Sequence, residues 1–519
     1  MRLPLDFIGS METYLGDEIR PFLVALEGEP VVSIRLNPVK TNPDAKFLVP
    51  TEPVPWSRWG HYLDERIPFT FDPLLHAGVY YVQEASSMFV EHVVRELLTE
   101  PMVCLDLCAA PGGKSLALLS ALPAGSLLVA NEVLRQRANV LAETLIKQGH
   151  PHVMVTNNSA ADFGRLSHTF DLVLVDAPCS GEGMFRKDEM AVAEWSHDNV
   201  SRCGERQKSI LNDVWPALKP GGFLLYSTCT FNVIENERVV LELARTTGAR
   251  FIQVETEAGW GVAPSFDERT PGYRFFPHRS RGEGLSLFIL QKPGGELQLR
   301  EEQQYGEVLS SVRESSSAGS LPNVGDGELG IMCGHRRDGK RRYDMGNDVM
   351  GSGIAGRRIS GKSYQKKDNK GQSCFLKEPS AFSPFLRYPD AFRFLQCGDR
   401  VFALPAEHAE TMADLAERLK VVTMGIEIPS HALALSRELH PEAFPRVPVT
   451  YPQAIAYLRK EAIVLPTAPK GILLLTYEGE PIGFAKNVGN RANNLYPAAW
   501  RIRSSYLPEQ VPRVIDLRS

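Results

Sequence analysis

Between residues 102 and 227, short apolar runs alternate with segments of helical periodicity, and this alternation constrains the fold more than any other feature. The runs are Met102–Leu107, Leu127–Ala130, His152–Thr156, Leu172–Val175 and Phe223–Ser227. Helical patterns occupy 83–98, 115–122, 135–148, about 203–218 and about 232–246. Strands this short and this uniformly apolar are buried on both faces, and strand–helix alternation makes a doubly wound parallel sheet. Phe251–Val254 and Leu285–Leu290 are expected to complete it with an antiparallel edge. Lys219-Pro-Gly-Gly222 reads as the stop of the helix before it.

The rest of the chain divides around this core. Residues 1–78 mix helical and strand patterns and read as a small α+β lobe; 79–293 hold the sheet; 294–373 lose periodicity; 374–519 regain it as a compact α+β region. The 294–373 stretch reads as a flexible connector. Net charge is −5, yet Gly334–Lys377 carries twelve Lys/Arg against four Asp, which suits a polyanionic partner or a solvated linker. No run reaches the roughly 18 apolar residues of a membrane span, and the first residues lack a signal peptide's apolar stretch. A cytoplasmic protein with reduced thiols is therefore expected. The eight cysteines include no Cys-x-x-Cys, so no metal site is expected.

In open α/β sheets, chemistry sits beyond the carboxyl ends of the strands. There the first strand continues as Asp106-Leu-Cys108-Ala109-Ala110-Pro111-Gly112-Gly113-Lys114. Its small residues let a ligand approach the backbone, but the glycine spacing is neither the dinucleotide fingerprint nor a phosphate-binding loop. Glu132, ending the second strand, is placed to accept from a ribose diol. A ribose carboxylate without a pyrophosphate cradle suits S-adenosylmethionine. Asp176-Ala-Pro-Cys179 follows the fourth strand and Ser227-Thr-Cys229 the fifth, so two thiols share one end of the sheet. A thiolate adding to carbon 6 of cytosine makes carbon 5 nucleophilic enough to take a methyl group, and a second thiol fits the release of that adduct.

These motifs, with Gly181-Glu-Gly-Met-Phe-Arg-Lys187, Tyr226-Ser-Thr-Cys-Thr-Phe-Asn232 and Arg274-Phe-Phe-Pro-His-Arg-Ser-Arg-Gly-Glu-Gly284, resemble those of the Nol-Nop-Sun family of RNA 5-methylcytosine methyltransferases. The resemblance is strongest to its bacterial enzymes of the RsmF type, which act on 16S ribosomal RNA. It covers roughly 5–293 and 375–505. It implies a Rossmann-like class I methyltransferase sheet, an RNA-binding N-terminal lobe and a PUA-like RNA-binding C-terminal region. It also implies Cys229 as nucleophile, Cys179 in product release, Asp176 between donor and base, and Lys187 near the pocket. Residues 108–114, Glu132 and Asp176 would surround S-adenosylmethionine. Where the family often carries an acid against adenine, this chain has Asn157-Asn158-Ser159, and Asn158 is the expected contact.

In the C-terminal region, Lys486, Arg491, Arg501 and Arg503 suit phosphate contact, while Tyr496 and Trp500 suit either base stacking or the core. The expected partner is RNA, either 16S rRNA or the small subunit, bound by a monomer without a metal. The same reaction on transfer RNA, and a non-catalytic RNA-binding assembly factor, are the alternatives.

Overall fold

The computed structural model describes residues 3–41, 45–295, 374–377 and 379–517. Strands β1 (Val103–Asp106), β2 (Leu127–Asn131), β3 (Val153–Thr156), β4 (Phe170–Asp176) and β5 (Leu218–Thr228) lie parallel, in the order β5–β4–β1–β2–β3. Alternation along β4 explains why its run is wholly apolar. Leu172 and Leu174 enter the core on one face, Val173 and Val175 the core on the other. The expected antiparallel edge is present: β6 (Arg250–Ile252) and β7 (Leu285–Gln291) pair with each other, and β7 pairs with β5. The connection order reverses between β1 and β4, which opens a crevice at their carboxyl ends.

Two helix boundaries differ from the sequence reading. The helix expected to reach Leu218 runs His197–Val214, and Lys219-Pro-Gly-Gly222 lies inside β5 instead of stopping a helix. Leu218 pairs with Phe170, the register then slips, and pairing resumes at Phe223–Leu172. A Cβ on Gly222 would come within 2.8 Å of the Asp171 carbonyl, so the bulge requires glycine there. The following helix starts at Glu237 instead of about Asn232. The side chains of Asn232 and Asn236 bond the backbone of their own loop and hold it out of the helix.

One strand of the C-terminal region joins the central sheet. Strand β8 (Val421–Met424) adds antiparallel to β3 and extends the central sheet. Asn157 N donates to the Lys420 carbonyl and Gly425 N to that of Val153, so the open edge of β3 is covered. Around β8, residues 374–428 build a four-stranded sheet of Cys374–Phe375, Phe392–Cys397, Arg400–Pro405 and Ile426–Ile428. A second sheet joins Arg446–Pro448, Gly471–Tyr477, Glu480–Asn487 and Ala492–Asn494. The connector expected at 294–373 lies, from residue 296 onward, outside the described residues.

The N-terminal lobe is a pair of helices, Leu5–Leu15 and Ile19–Glu27, and a sheet ordered Thr51–Pro53, Gly60–Leu63, Val32–Leu36, Tyr80–Val82. That sheet shares a core with the second C-terminal sheet: Ile34, Leu36 and Leu74 pack with Tyr457, Leu475 and Ile482. Lys46–Phe47 also pairs with Ile515–Asp516, tying the two ends of the chain together. This core claims Tyr496. It is fully buried, its hydroxyl 3.3 Å from His76 Nδ1, so it is a core residue and not a stacking platform. Trp500 is half-buried against His431 and beneath the Lys147 ammonium. Lys486, Arg491, Arg501 and Arg503 are exposed.

Candidate active site

The loops after β1, β4 and β5 meet in the crevice. Cys179 Sγ and Cys229 Sγ stand 3.2 Å apart, each half-buried. The adjacency follows from register, because Ser227 on β5 lies opposite Asp176 on β4 and each thiol follows a few residues later. Gly183 N donates to the Cys229 carbonyl at 2.7 Å, and a Cβ at Gly183 would stand 2.8 Å from that oxygen. Only glycine allows one cysteine's loop to close so tightly on the other's.

Asp176 accepts from Lys114 Nζ at 2.9 Å through one oxygen and from Ser227 Oγ at 2.9 Å through the other. Burial alone would lower the Lys114 pKa, but the Asp176 carboxylate outweighs it, and the Cys229 and Glu84 charges add to the upward shift. Lys114 therefore stays an ammonium, and its field also reaches Cys229. Cys179 is driven the other way. The hydrogen bond to Cys229, then burial, then the charges of Cys229 and Glu235 raise its thiol well above the ordinary range. The pair is electrostatically unequal: Cys179 is held as a thiol, and Cys229 lies within reach of a cation. Burial also raises Cys108, which leaves it inert.

The two cysteine loops rest on two buried carboxylates, Glu182 and Glu235, held by neutral donors. Glu182 accepts from Phe231 N, Asn232 N, Trp195 Nε1 and Asn232 Nδ2, all within 3.1 Å. Glu235 accepts from Ser180 N, Gln207 Nε2 and Asn232 Nδ2. The N-terminal helices press on this assembly from outside: Phe7 meets Phe185 and Trp195, and Phe22 meets Phe231. None of Glu182, Gln207, Asn232 and Glu235 was singled out by sequence reasoning. Isolated polar residues in loops and on helices carry no periodic signal that separates a buried carboxylate from a surface one.

Two of the expected site residues have partners that the sequence did not reveal. Lys187 turns to Glu283, 3.5 Å away, beside the Arg186–Glu283 pair at 2.7 Å. The lysine that meets Asp176 is Lys114, which the sequence had grouped with the cofactor loop. The Asn158 amide bonds both polar groups of Lys420: Nδ2 donates to the carbonyl and Oδ1 accepts from the N–H. It docks the strand β8 segment, a role invisible before the C-terminal region was known to join this sheet. Asn157 donates to the Glu132 and Val133 carbonyls.

The loop 108–114 and Glu132 lie together at the ends of β1 and β2. Ala109 N donates to the Asn131 carbonyl, and Arg137 bridges the Ala110 carbonyl and the Glu132 carboxylate. Gly112 is left-handed (φ +119°), and a Cβ there would stand 2.8 Å from Thr144 Cγ2. Glu132 is 3% exposed, while its neighbours Val133 and Leu134 expose 62% and 57% of their surface, apolar area beside a carboxylate. Among the described residues no His/Cys/Asp/Glu group is arranged to hold a metal ion, and no helix is long and apolar enough to cross a membrane.

Three family models match in succession along the chain. The N-terminal domain of 16S rRNA methyltransferase RsmF matches residues 3–85, 16S rRNA methyltransferase RsmB/F matches 97–291, and the methyltransferase RsmF PUA domain matches 444–502. The chain is 28% identical over 482 residues to the ribosomal RNA small subunit methyltransferase F of Shewanella sp. (strain ANA-3), covering 90% of each. It is 33% identical over 252 residues to the protein of that name from Pectobacterium atrosepticum, 46% of this chain and 52% of that one. Among solved structures, PH0851 superposes with a TM-score of 0.50 and 25% identity over 56% of this chain and 66% of that one.

The cofactor of this fold and family is S-adenosylmethionine, and the residues present fit it. Asp106 Oδ1 is buried with no hydrogen-bond partner, and burial raises its carboxyl to about 7. The glycines of the 108–114 loop, the Glu132 carboxylate and the exposed apolar Val133–Leu134 surface are the residues that would hold it, as cradle, ribose acceptor and cover for a base. With its N-terminal lobe, two-cysteine sheet and PUA domain matched in order, the chain belongs to the RsmF-type branch of the RsmB/F (Nol-Nop-Sun) methyltransferases.

Proposed function

We propose that this protein methylates carbon 5 of cytosine in 16S ribosomal RNA through a covalent adduct between Cys229 Sγ and carbon 6 of the base. The observation that carries the reading is the pair of thiols 3.2 Å apart at adjacent strand ends, with Lys114 and Asp176 beside them. The names of the full-length relatives supply the substrate.

The target cytosine leaves its stack, because carbon 6 is out of a thiol's reach inside a helix. The Asp176 carboxylate accepts from the exocyclic amine of the base, and Lys114 holds that carboxylate in place. Cys229 gives its thiol proton to water, its Sγ bonds to carbon 6, and the electron pair of the 5,6 double bond becomes available at carbon 5. Bound S-adenosylmethionine supplies an electrophilic methyl group. After carbon 5 is methylated, its proton passes to water and its electron pair restores the double bond. As that double bond forms, the carbon 6–sulfur bond breaks with its electrons on Cys229. Cys179, held as a thiol, donates a hydrogen bond to that departing sulfur. Loop 108–114, Glu132 and Asp106 hold the cofactor; the PUA domain, with Lys486, Arg491, Arg501 and Arg503 exposed, contacts RNA phosphates.

Bisulfite sequencing of 16S rRNA from a deletion strain, complemented with Cys229→Ala or Cys179→Ala, tests the reading. The deletion and Cys229→Ala should lose a 5-methylcytosine signal, and purified Cys179→Ala should carry a covalent RNA adduct on a denaturing gel. Full activity of Cys229→Ala, or an unchanged 16S pattern in the deletion strain, would overturn it.

A further inference from the structure

We infer that Gln207 and Glu235 form a clamp that positions Cys179 for the release step. The inference rests on the reading above, in which Cys179 acts on the departing sulfur. Its basis is that one pair of side chains bonds the peptide groups on both sides of this cysteine. On the amino side, Gln207 Nε2 donates to the Pro178 carbonyl at 3.1 Å. On the carboxyl side, Ser180 N donates to Glu235 Oε2 at 2.9 Å. The clamp is closed, because Gln207 Nε2 also donates to that same Oε2 at 2.8 Å. With both flanking peptides fixed, the Cα–Cβ direction of Cys179 is fixed, and with it the path of the thiol toward Cys229.

Both clamp residues are fully buried, and neither forms an ion pair among the described residues. Gln207 Oε1 is buried without a partner, so the side chain is kept inside for what its amino group does. Gln207 comes from the helix His197–Val214, Glu235 from the loop after Cys229. Glu235 is itself anchored: Asn232 Nδ2 donates to its other oxygen at 2.8 Å, and the Tyr226 hydroxyl to its carbonyl at 2.6 Å. The clamp therefore references Cys179 to the β5 loop that carries the nucleophile. No equivalent pair brackets Cys229 among the described residues, whose carbonyl is met instead by Gly183 N. Loosening the clamp should thus leave addition to carbon 6 in place and impair release. The Glu235 charge also adds to the upward shift of the Cys179 thiol, which keeps it a donor.

The test uses the full-length protein with S-adenosylmethionine and 16S rRNA, comparing wild type, Cys179→Ala, Gln207→Met and Glu235→Gln. Gln207→Met keeps side-chain length and removes both donated bonds. The expected result is a covalent protein–RNA adduct on a denaturing gel for Gln207→Met, absent from wild type. Its kcat should fall by about tenfold while KM for RNA changes by less than about twofold. Should Gln207→Met fail to fold, Glu235→Gln answers the same question by the same signature. Wild-type turnover without adduct overturns the clamp. So does a variant that loses adduct formation and methyl transfer together, since that is merely structural damage. Cys179→Ala without an adduct sinks the underlying reading of Cys179 instead, and is told apart because it involves neither clamp residue.

Discussion

Lys114 Nζ lies 2.9 Å from Asp176 Oδ2, joining the first turn of the helix after the first strand of the sheet to the carboxyl end of the fourth strand. The pair sits where the strand order reverses, beside the two cysteines. Lys114→Met removes the charge that holds Asp176 and faces Cys229. Methyl transfer to 16S rRNA should fall by about 100-fold or more, a typical loss for one electrostatic group of an active site. Filter-binding affinity for RNA should stay near wild type. A variant that methylates at more than about a tenth of the wild-type rate would remove Lys114 from the chemistry.

A second prediction concerns the motif from Arg274 to Gly284. Arg274 is fully buried and bonds both oxygens of Glu237, the Phe231 carbonyl and Ser286 Oγ. Removing one partner strands the other charge inside the protein. Arg274→Met should cost about 3–5 kcal/mol of stability. Arg274→Met combined with Glu237→Leu should recover much of that loss. Thermal unfolding of the single and double variants measures the difference, and an equally unstable double variant would show that the bonds to Phe231 and Ser286 matter more than the ion pair.

Acid should loosen the seam between the N-terminal lobe and the PUA domain. Burial, with Lys147 nearby, lowers His76 to about 3, and burial with Lys147, Lys40 and Lys460 lowers His431 to about 3, against an ordinary 6.5. Below pH 6.5 the unfolded chain binds protons that the folded one refuses, so stability is full above 6.5 and falls as pH falls toward 3. Each histidine contributes a slope of about 1.4 kcal/mol per pH unit within that window. Asp72, raised to about 6 by burial, works in the opposite direction between pH 6 and its ordinary 3.8. The comparison is therefore between wild type and His431→Gln in denaturant midpoints from pH 7 to 5. The variant should show the shallower decline, and parallel curves would refute the assignment.

Much of this was legible in the chain because the signals were local. The strand runs named the parallel sheet, since a strand buried on both faces has nowhere to hide a polar residue. Cys179 and Cys229 could be paired because each directly follows such a strand. What failed to read depended on partners far away in sequence. Asn158 was legible as a polar residue after the third strand, but its partner is Lys420, 262 residues on. Tyr496 was readable as core or platform until the N-terminal lobe was seen to share its core. Lys187 and Lys114 could not be ranked, because a lysine's stem is long enough to reach either of two loops. Glu182 and Glu235 were indistinguishable from surface acids until their N–H donors were seen.

The docking role of Asn158 gives the last prediction. Its side chain holds the N–H and the carbonyl of Lys420, while its own N–H and carbonyl bond the Asn131 side chain. Asn158→Ala removes both side-chain bonds and leaves the Lys420 peptide, next to the added strand, without its partners. The cost should be about 1–3 kcal/mol for buried groups left unsatisfied. Hydrogen exchange should rise selectively at residues 420–425, whose amides pair with the third strand. Binding of S-adenosylmethionine, measured by calorimetry, should change by less than about twofold, since the amide is taken up by Lys420. Asn157, the neighbouring residue, braces the Glu132 and Val133 carbonyls, so Asn157→Ala should show the opposite pattern: weaker cofactor binding with the added strand still protected. If Asn158→Ala instead weakened the cofactor and left exchange at 420–425 unchanged, the adenine contact expected from the sequence would be restored and the docking role discarded.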